Sequence, residues 1–209
     1  MNINVVAADL HYLPSLEFFA CIAEADEVVF FPEDRYQRQS YFNRTRIRLA
    51  NKVETLSVPI VGRRPRIPLK EIQIDQRQDW LKIHVRGIRS AYGKAPFFEY
   101  YFPYFEQVFE EQHASLWELN WRLLTLCLKL LGLPVKMRAS LASESDEILM
   151  DIRGCLVPSV PFSERNFYSP VPYFQLFGSD FDPNLSVLDL LFCEGTAAKS
   201  IILMSAKKQ

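Results

Sequence analysis

The chain is poor in glycine, with 7 among its 209 residues. It also lacks G-x-x-x-x-G-K-[ST] and G-x-G-x-x-G, the loops whose backbone amides cradle nucleotide phosphates. Any phosphate it holds is therefore expected on arginine side chains. H-E-x-x-H and G-x-S-x-G are absent as well, which excludes the common zinc-protease and hydrolase-elbow sites. Cys21, Cys127, Cys155 and Cys193 are scattered, with no C-x-x-C pair and no histidine at ligand spacing. Neither a zinc site nor a disulfide framework is indicated, no metal is expected, and no residue pattern names a cofactor. No run approaches the roughly 18 apolar residues of a membrane span. The opening MNINVVAADL has neither the basic start nor the small-residue cleavage site of a signal peptide, so a cytoplasmic protein is expected.

What the chain does have is divided charge. The formal net charge is −1, yet residues 33–94 carry 15 Lys or Arg against 6 Asp or Glu, and the remainder carries 9 against 19. From Tyr36 to Arg48 the cations alternate with aromatics and amides, a pattern suited to an anionic, hydrogen-bonding ligand. The alternative is that these arginines pair with the acidic remainder of the same fold. The isoelectric point of about 6.3 argues against nucleic acid as the partner. With 49% apolar and 13% aromatic residues, the chain can bury a full core as one domain over residues 1–209.

Residues 2–8 read as a strand, followed by Asp9, His11 and Tyr12 and then by a helix from Ser15. Further strands are expected at Glu27 to Phe31, Val53 to Ile60, Glu71 to Asp75 and Val135 to Ala139. A helix is expected from Asp79 to Tyr92, its inward stripe formed by Trp80, Ile83, His84, Gly87, Ile88 and Ala91. Another runs from Ser115 to Leu131, with Ser115 and Glu118 as a capping box, Gly132 at the stop, and a polar stripe of Glu118, Arg122, Thr125 and Lys129. Its Trp117 and Trp121 read as core or interface residues. A last helix starts near Ser186, breaks at Gly195 and resumes through Ile202. Residues 141–183 carry proline, serine and aromatics without period, and read as an ordered lid or wall over a site. The expected fold class is α/β: a layered fold with a mainly parallel sheet flanked by helices, plus this irregular aromatic-rich C-terminal segment.

In such a sheet, ligands bind beyond the carboxyl ends of the strands, which places Asp9, His11 and Tyr12. A carboxylate and an imidazole together can take the proton of an amine or hydroxyl; the plain alternative is a helix cap beside an exposed histidine. His84 lies at the edge of an apolar stripe, as a core histidine does, but among Arg86, Arg89 and Tyr92. Asn43 and Arg44 form a candidate binding pair, because guanidinium grips phosphate bidentately and an amide discriminates hydroxyls. Asp151 and Arg153 suit a salt bridge or the rim of the site.

Several blocks in order resemble one family. They are Tyr12-Leu13-Pro14 with Phe18-Phe19; Gln39-Ser40-Tyr41-Phe42-Asn43-Arg44-Thr45-Arg46-Ile47; Leu56-Ser57-Val58-Pro59; Trp80 to Tyr101; and Tyr173-Phe174-Gln175-Leu176-Phe177 through Asn184 to Phe192. The chain is similar over nearly its whole length to the WbqC-like protein family. That resemblance implies a bacterial protein of surface-polysaccharide and O-antigen gene clusters, with a role in transferring glycine or a similar group to a sugar. By match to these blocks, Tyr12, Asn43, Arg44, His84, Tyr92, Gln175 and Asp189 are the implied site residues. The expected activity is a transferase acting on an amino or hydroxyl group of a nucleotide-linked sugar. His84 or His11 would be its general base, and a phosphorylated small molecule its partner. A non-catalytic module binding a polysaccharide precursor or a partner enzyme is the alternative, and RNA binding a more remote one.

Overall fold

The structure is a computed structural model that describes residues 4–62, 67–140, 148–178 and 180–207. Residues 141–147 of the expected lid lie outside it, as do Arg63, Arg64 and Arg66 of the basic segment. Its centre is a four-stranded, wholly parallel sheet of β1 (Val5–Ala7), β2 (Glu27–Phe30), β5 (Lys136–Ala139) and β6 (Met150–Asp151), ordered β5-β2-β1-β6. Val6 stands opposite Val28 on one side of β1 and opposite Met150 on the other. Side chains alternate across the pleat, so Val6, Val28 and Phe30 enter the main core, while Val5, Ala7, Val29 and Phe31 form a small cluster of their own. Both faces of β1 are buried, which is why its sequence is continuously apolar. The expected α/β fold with a mainly parallel sheet flanked by helices is what the chain adopts.

Between β2 and β5 the chain makes a long excursion. β3 (Arg44–Arg48) and β4 (Val53–Ser57) pair as an antiparallel ribbon. Thr45, Ile47 and Leu56 of the ribbon are buried, which leaves Arg44, Arg46 and Arg48 together on its other face. The basic run is thus half strand, and its charges fall on one side because a strand has period two. Gly87 lets α2 (Trp80–Tyr92) approach this ribbon: a Cβ there would stand 3.4 Å from Leu56 Cδ2. Ile83, expected on the inward stripe of α2, is instead 62% exposed. The strand expected at Glu71 to Asp75 is replaced by a 3-10 turn, Leu69–Glu71, and by single bridges from Gln73 to Ser115 and from Ile74 to Ile60.

α3 (Phe98–Glu110) has no counterpart among the expected elements, because Pro103 sits inside it. Phe98, Tyr101, Phe102, Phe105, Val108 and Phe109 are buried at helical spacing, and their packing outweighs the backbone hydrogen bond that proline forgoes. They close around Phe192 of α5 (Val187–Glu194), whose ring meets those of Phe98 and Phe105 at 5.1 and 5.9 Å. In α4 (Leu116–Leu131), Glu118, Arg122, Thr125 and Lys129 are the exposed stripe, as the periodicity predicts. The capping box does not form. Ser115 makes no side-chain cap: its hydroxyl turns to Lys70 O at 3.5 Å, and Leu116 N–H donates to Ile72 O at 2.9 Å. The chain closes with α6 (Ala198–Ser205) after a break at Gly195, where a Cβ would fall 2.6 Å from the Phe97 ring.

The irregular segment is fastened from within. Arg165 grips Glu17 of α1 (Leu16–Ile22) through two hydrogen bonds of 2.8 and 2.6 Å, and also donates to Val157 O and Val160 O. Asn184 completes the group, accepting from Glu17 N–H and donating to its carboxylate, both at 2.9 Å. Glu17 is 1% exposed. Removing one partner of such a pair strands the other charge in a dry interior. Arg165→Met is expected to lower unfolding free energy by ~3–5 kcal/mol, and Glu17→Leu combined with it to restore most of the loss. Urea denaturation of the single and double variants checks both statements.

Candidate functional site

From β1 the chain builds outward to β2 and β5, then returns to the opposite flank of β1 as β6. The order reverses between β1 and β6, and their carboxyl ends diverge into a crevice. A cavity of about 40 Å³ lies there. Asp9 and His11 after β1, Arg35, Gln37 and Ser40 after β2, and Gly154 after β6 are among its lining residues. The loop from β1 is held in place at Leu13, which has φ 43: its carbonyl accepts from Thr45 Oγ1 at 2.7 Å and from Ser186 Oγ at 3.1 Å.

Asp9 accepts a 2.6 Å hydrogen bond from Gly154 N–H. Burial holds its carboxyl above the ordinary range against that bond, and Asp34 and Asp151 push the same way. Arg153 does not reach into the cavity. It closes on Asp151 at 2.6 Å and on Asp34 at 3.4 Å while lying 4.2 Å above the Phe31 ring, a salt bridge on the rim. His11 sits between Phe18 and Tyr41, and its buried Nδ1 has no hydrogen-bond partner. Burial, with the Arg165 charge in second place, pushes its pKa down to about 3, so the ring is neutral near pH 7.

Of the other expected site residues, Tyr12 and His84 pair with each other, and His84 lines a separate depression with Ser57, Gln78 and Trp80. Tyr12 Oη lies 2.8 Å from His84 Nδ1, and His84 Nε2 lies 3.2 Å from Ser57 O. A carbonyl only accepts, so Nε2 carries the proton and Nδ1 accepts from the tyrosine. Burial lowers the His84 pKa to about 4. Asn43 spends its amide internally, donating to Val58 O at 2.9 Å and accepting from Tyr36 at 3.4 Å. Arg44 is half-buried, and its Nε has no partner.

Tyr92, Gln175 and Asp189 come together in a second cluster. Asp189, 1% exposed, accepts from Tyr173 at 2.6 Å and from Gln175 at 2.9 Å. Tyr92 Oη accepts from Arg48 N–H at 3.2 Å and faces the same carboxylate, short of a full hydrogen bond, so Asp189 Oδ1 stays unpartnered. Gln175 also pairs with the backbone of Asp182, to which Arg48 is bridged. Arg35, Gln37, Ser40 and Gly154 were not among the expected site residues. The strand-end rule that selects Asp9 applies equally to Arg35 after β2, whereas two-residue β6 leaves no pattern from which to find Gly154. Cys193 is buried with its thiol pushed up to about 12, which removes it as a nucleophile.

Charge pairing leaves part of the basic segment open. Arg89 reaches Glu106, while Lys52, Lys70, Arg77 and Lys82 pair inside the segment. Among the described residues, Arg35, Arg44 and Arg46 have no ion-pair partner. Also among them, no group of three acidic, histidine or cysteine side chains is arranged to hold a metal, and no helix is long and apolar enough to cross a membrane.

A family model described as the WbqC-like protein family matches residues 10–155. An uncharacterized protein of Mycobacterium tuberculosis is 28% identical over 93% of this chain and 95% of its own length. No solved structure matches.

The two buried histidines set a pH dependence. Unfolded, each takes up a proton as pH falls through about 6.5; folded, His84 and His11 resist until about 4 and 3. Their contribution to stability is whole above pH 6.5 and is lost as pH falls toward 4. Asp9 and Asp189, held above the ordinary carboxylate range, act in the opposite sense. The urea midpoint is expected to drop between pH 7 and pH 4.5, and to drop less in His84→Gln than in the wild type.

Proposed function

The chain belongs to the WbqC-like protein family, and from that premise we propose that it is a transferase acting on an amino or hydroxyl group of a nucleotide-linked sugar. Glycine or a similar aminoacyl unit would be the group transferred, in the building of bacterial surface polysaccharide. The observation that carries this reading is the small cavity at the β1/β6 crevice beside unpaired arginines. At about 40 Å³ it is far below the ~300–1,000 Å³ of a site that encloses a whole small molecule. It admits a single reacting group, and the body of the substrate must lie outside it, over Arg35 and Gln37.

In this reading the acceptor's amine or hydroxyl enters between Asp9 and His11. Asp9 is the better proton acceptor, because burial raises its basicity while it depresses that of His11. The unpartnered Nδ1 of neutral His11 accepts a hydrogen bond from the acceptor group and aims that group's lone pair at the acyl carbon of the activated donor. As the new C–N or C–O bond forms, the bond from that carbon to the donor's leaving group breaks, and the proton taken by Asp9 passes to the departing group. Arg35 and Arg44 hold the phosphates. His84 acts at one remove, holding the hydroxyl of Tyr12 and with it the loop that also carries His11. The Tyr92, Gln175 and Asp189 cluster, with Tyr173, holds the segment whose Gly154, Leu156 and Val157 wall the cavity.

Calorimetry with a panel of nucleotide-diphosphate sugars tests the binding half. Arg35→Ala and Arg44→Ala are each expected to weaken binding by ~1.5–3 kcal/mol, the scale of a hydrogen bond to a charged group. Asp9→Asn is expected to keep binding and lose ~10²–10⁴-fold in transfer rate. Binding with no dependence on Asp9 in any transfer assay would point to a module that carries a polysaccharide precursor without reacting on it. No binding by the wild type would end both.

A further inference from the structure

A second depression opens at the carboxyl edge of the sheet, over β5 and β2. In the order β5-β2-β1-β6 the ends of β5 and β1 are two strand spacings apart, about 10 Å. Trp117 and Trp121, one turn apart on α4, are half-buried there, with ring centroids 6.1 Å apart and planes 26° from parallel. Trp121 packs edge-on against Phe30 at the end of β2, at 5.8 Å. Around the indoles, Glu111, His113, Glu118 and Arg122 form a polar rim, and Ala139 closes one side of an open space of about 440 Å³. That volume falls within the range of small-molecule sites. Arg122 and Glu111 hold each other through hydrogen bonds of 3.0 and 2.6 Å. Glu118 has no hydrogen-bond or ion-pair partner among the described residues.

Each ligand class meets this surface differently. An anion would face two carboxylates, while the guanidinium of Arg122 and the imidazole of His113 both already lie against Glu111, at 2.6 and 3.3 Å. A wholly apolar ligand would desolvate Glu118 and the Glu111–Arg122 pair without replacing their water. A quaternary ammonium is best held by rings set at angles around it, and two nearly parallel planes form no cage. A sugar ring satisfies every part. Its polarised C–H face lies on the negative face of the indoles, while its hydroxyls donate to Glu118 and accept from Arg122. We propose that the Trp117–Trp121 shelf is a subsite for the neutral rings of a short oligosaccharide. The subsite uses none of the residues assigned to phosphate binding or proton transfer, so it stands or falls separately from the transfer reading.

The test uses the full chain labelled with 5-fluorotryptophan, in which three tryptophans give three fluorine resonances, each assigned by a Trp→Phe variant. The protein is titrated with maltotriose, cellotriose and tri-N-acetylchitotriose, and with choline chloride. The expected result is saturable movement of the Trp117 and Trp121 signals, but not of Trp80, with at least one trisaccharide at millimolar affinity, about 4 kcal/mol of binding. Trp117→Ala should weaken that affinity at least tenfold, or about 1.4 kcal/mol, and Glu118→Gln a few-fold, while Arg44→Ala leaves it unchanged. Should Trp117→Ala fail to fold by circular dichroism, Trp117→Phe is expected to bind at a reduced but measurable affinity. No saturable shift up to about 50 mM of any trisaccharide, a response to choline alone, or full affinity in a folded Trp117→Ala would overturn the proposal.

Discussion

The buried Glu17, Arg165 and Asn184 group is the constraint on which the site geometry rests. It joins the helix that follows β1, the irregular chain after β6 and the turn before α5. A buried ion pair is tolerated only when its remaining donors and acceptors are met. Here Arg165 also serves two backbone carbonyls, and Asn184 serves both the carboxylate and an amide of the first turn of α1. The same group fixes the two walls of the crevice against each other, since Asp9 and His11 lead into α1 while Gly154 and Val157 lead toward Arg165. Its positive charge is also felt by His11, which joins the packing of the fold to the protonation of the site.

Electrostatics then separates the arginines by role. Arg48 and Arg165 are structural, Arg48 committed to Asp182 of the C-terminal segment and Arg165, within that segment, to Glu17 of α1. Among the described residues, Arg35, Arg44 and Arg46 are left without such partners, and the period-two geometry of β3 puts Arg44 and Arg46 on one face. A fold that merely neutralised its charge would have paired them; surface pairing is worth so little that their freedom costs little stability. Their local excess of positive charge is the feature an anionic ligand would meet first.

The carboxyl edge of the sheet concentrates the rest of the polar chemistry. At β1 and β6 it holds a narrow cavity fit for one reacting group, and at β5 and β2 a broad aromatic shelf. Tyr12, paired to His84, and the Asp189 cluster line neither opening and fasten loops to helices. Buried carboxylates and imidazoles are expensive to hold, and their retention near one edge of one sheet is the pattern of a site and its supports.

Much of the scaffold was legible in the sequence because it depends on local repetition. The apolar β1, the exposed stripe of α4 and the break at Gly195 follow from period and from glycine, and the strand-end rule found Asp9 and His11. Where local rules failed, a distant contact had replaced them. α3 forms through Pro103 because its phenylalanines close on Phe192, and Ser115 makes no capping box, its hydroxyl turning instead to Lys70 O. The expected site residues divided into two clusters because sequence order does not encode which side of β1 a returning chain will take. Composition and periodicity determined that this chain would fold as a parallel sheet with a basic excursion. Only the tertiary structure decided which acids Arg48 and Arg165 would take and which loops share a cavity, because the partners lie 134, 148 and 145 residues apart in Arg48–Asp182, Arg165–Glu17 and Asp9–Gly154.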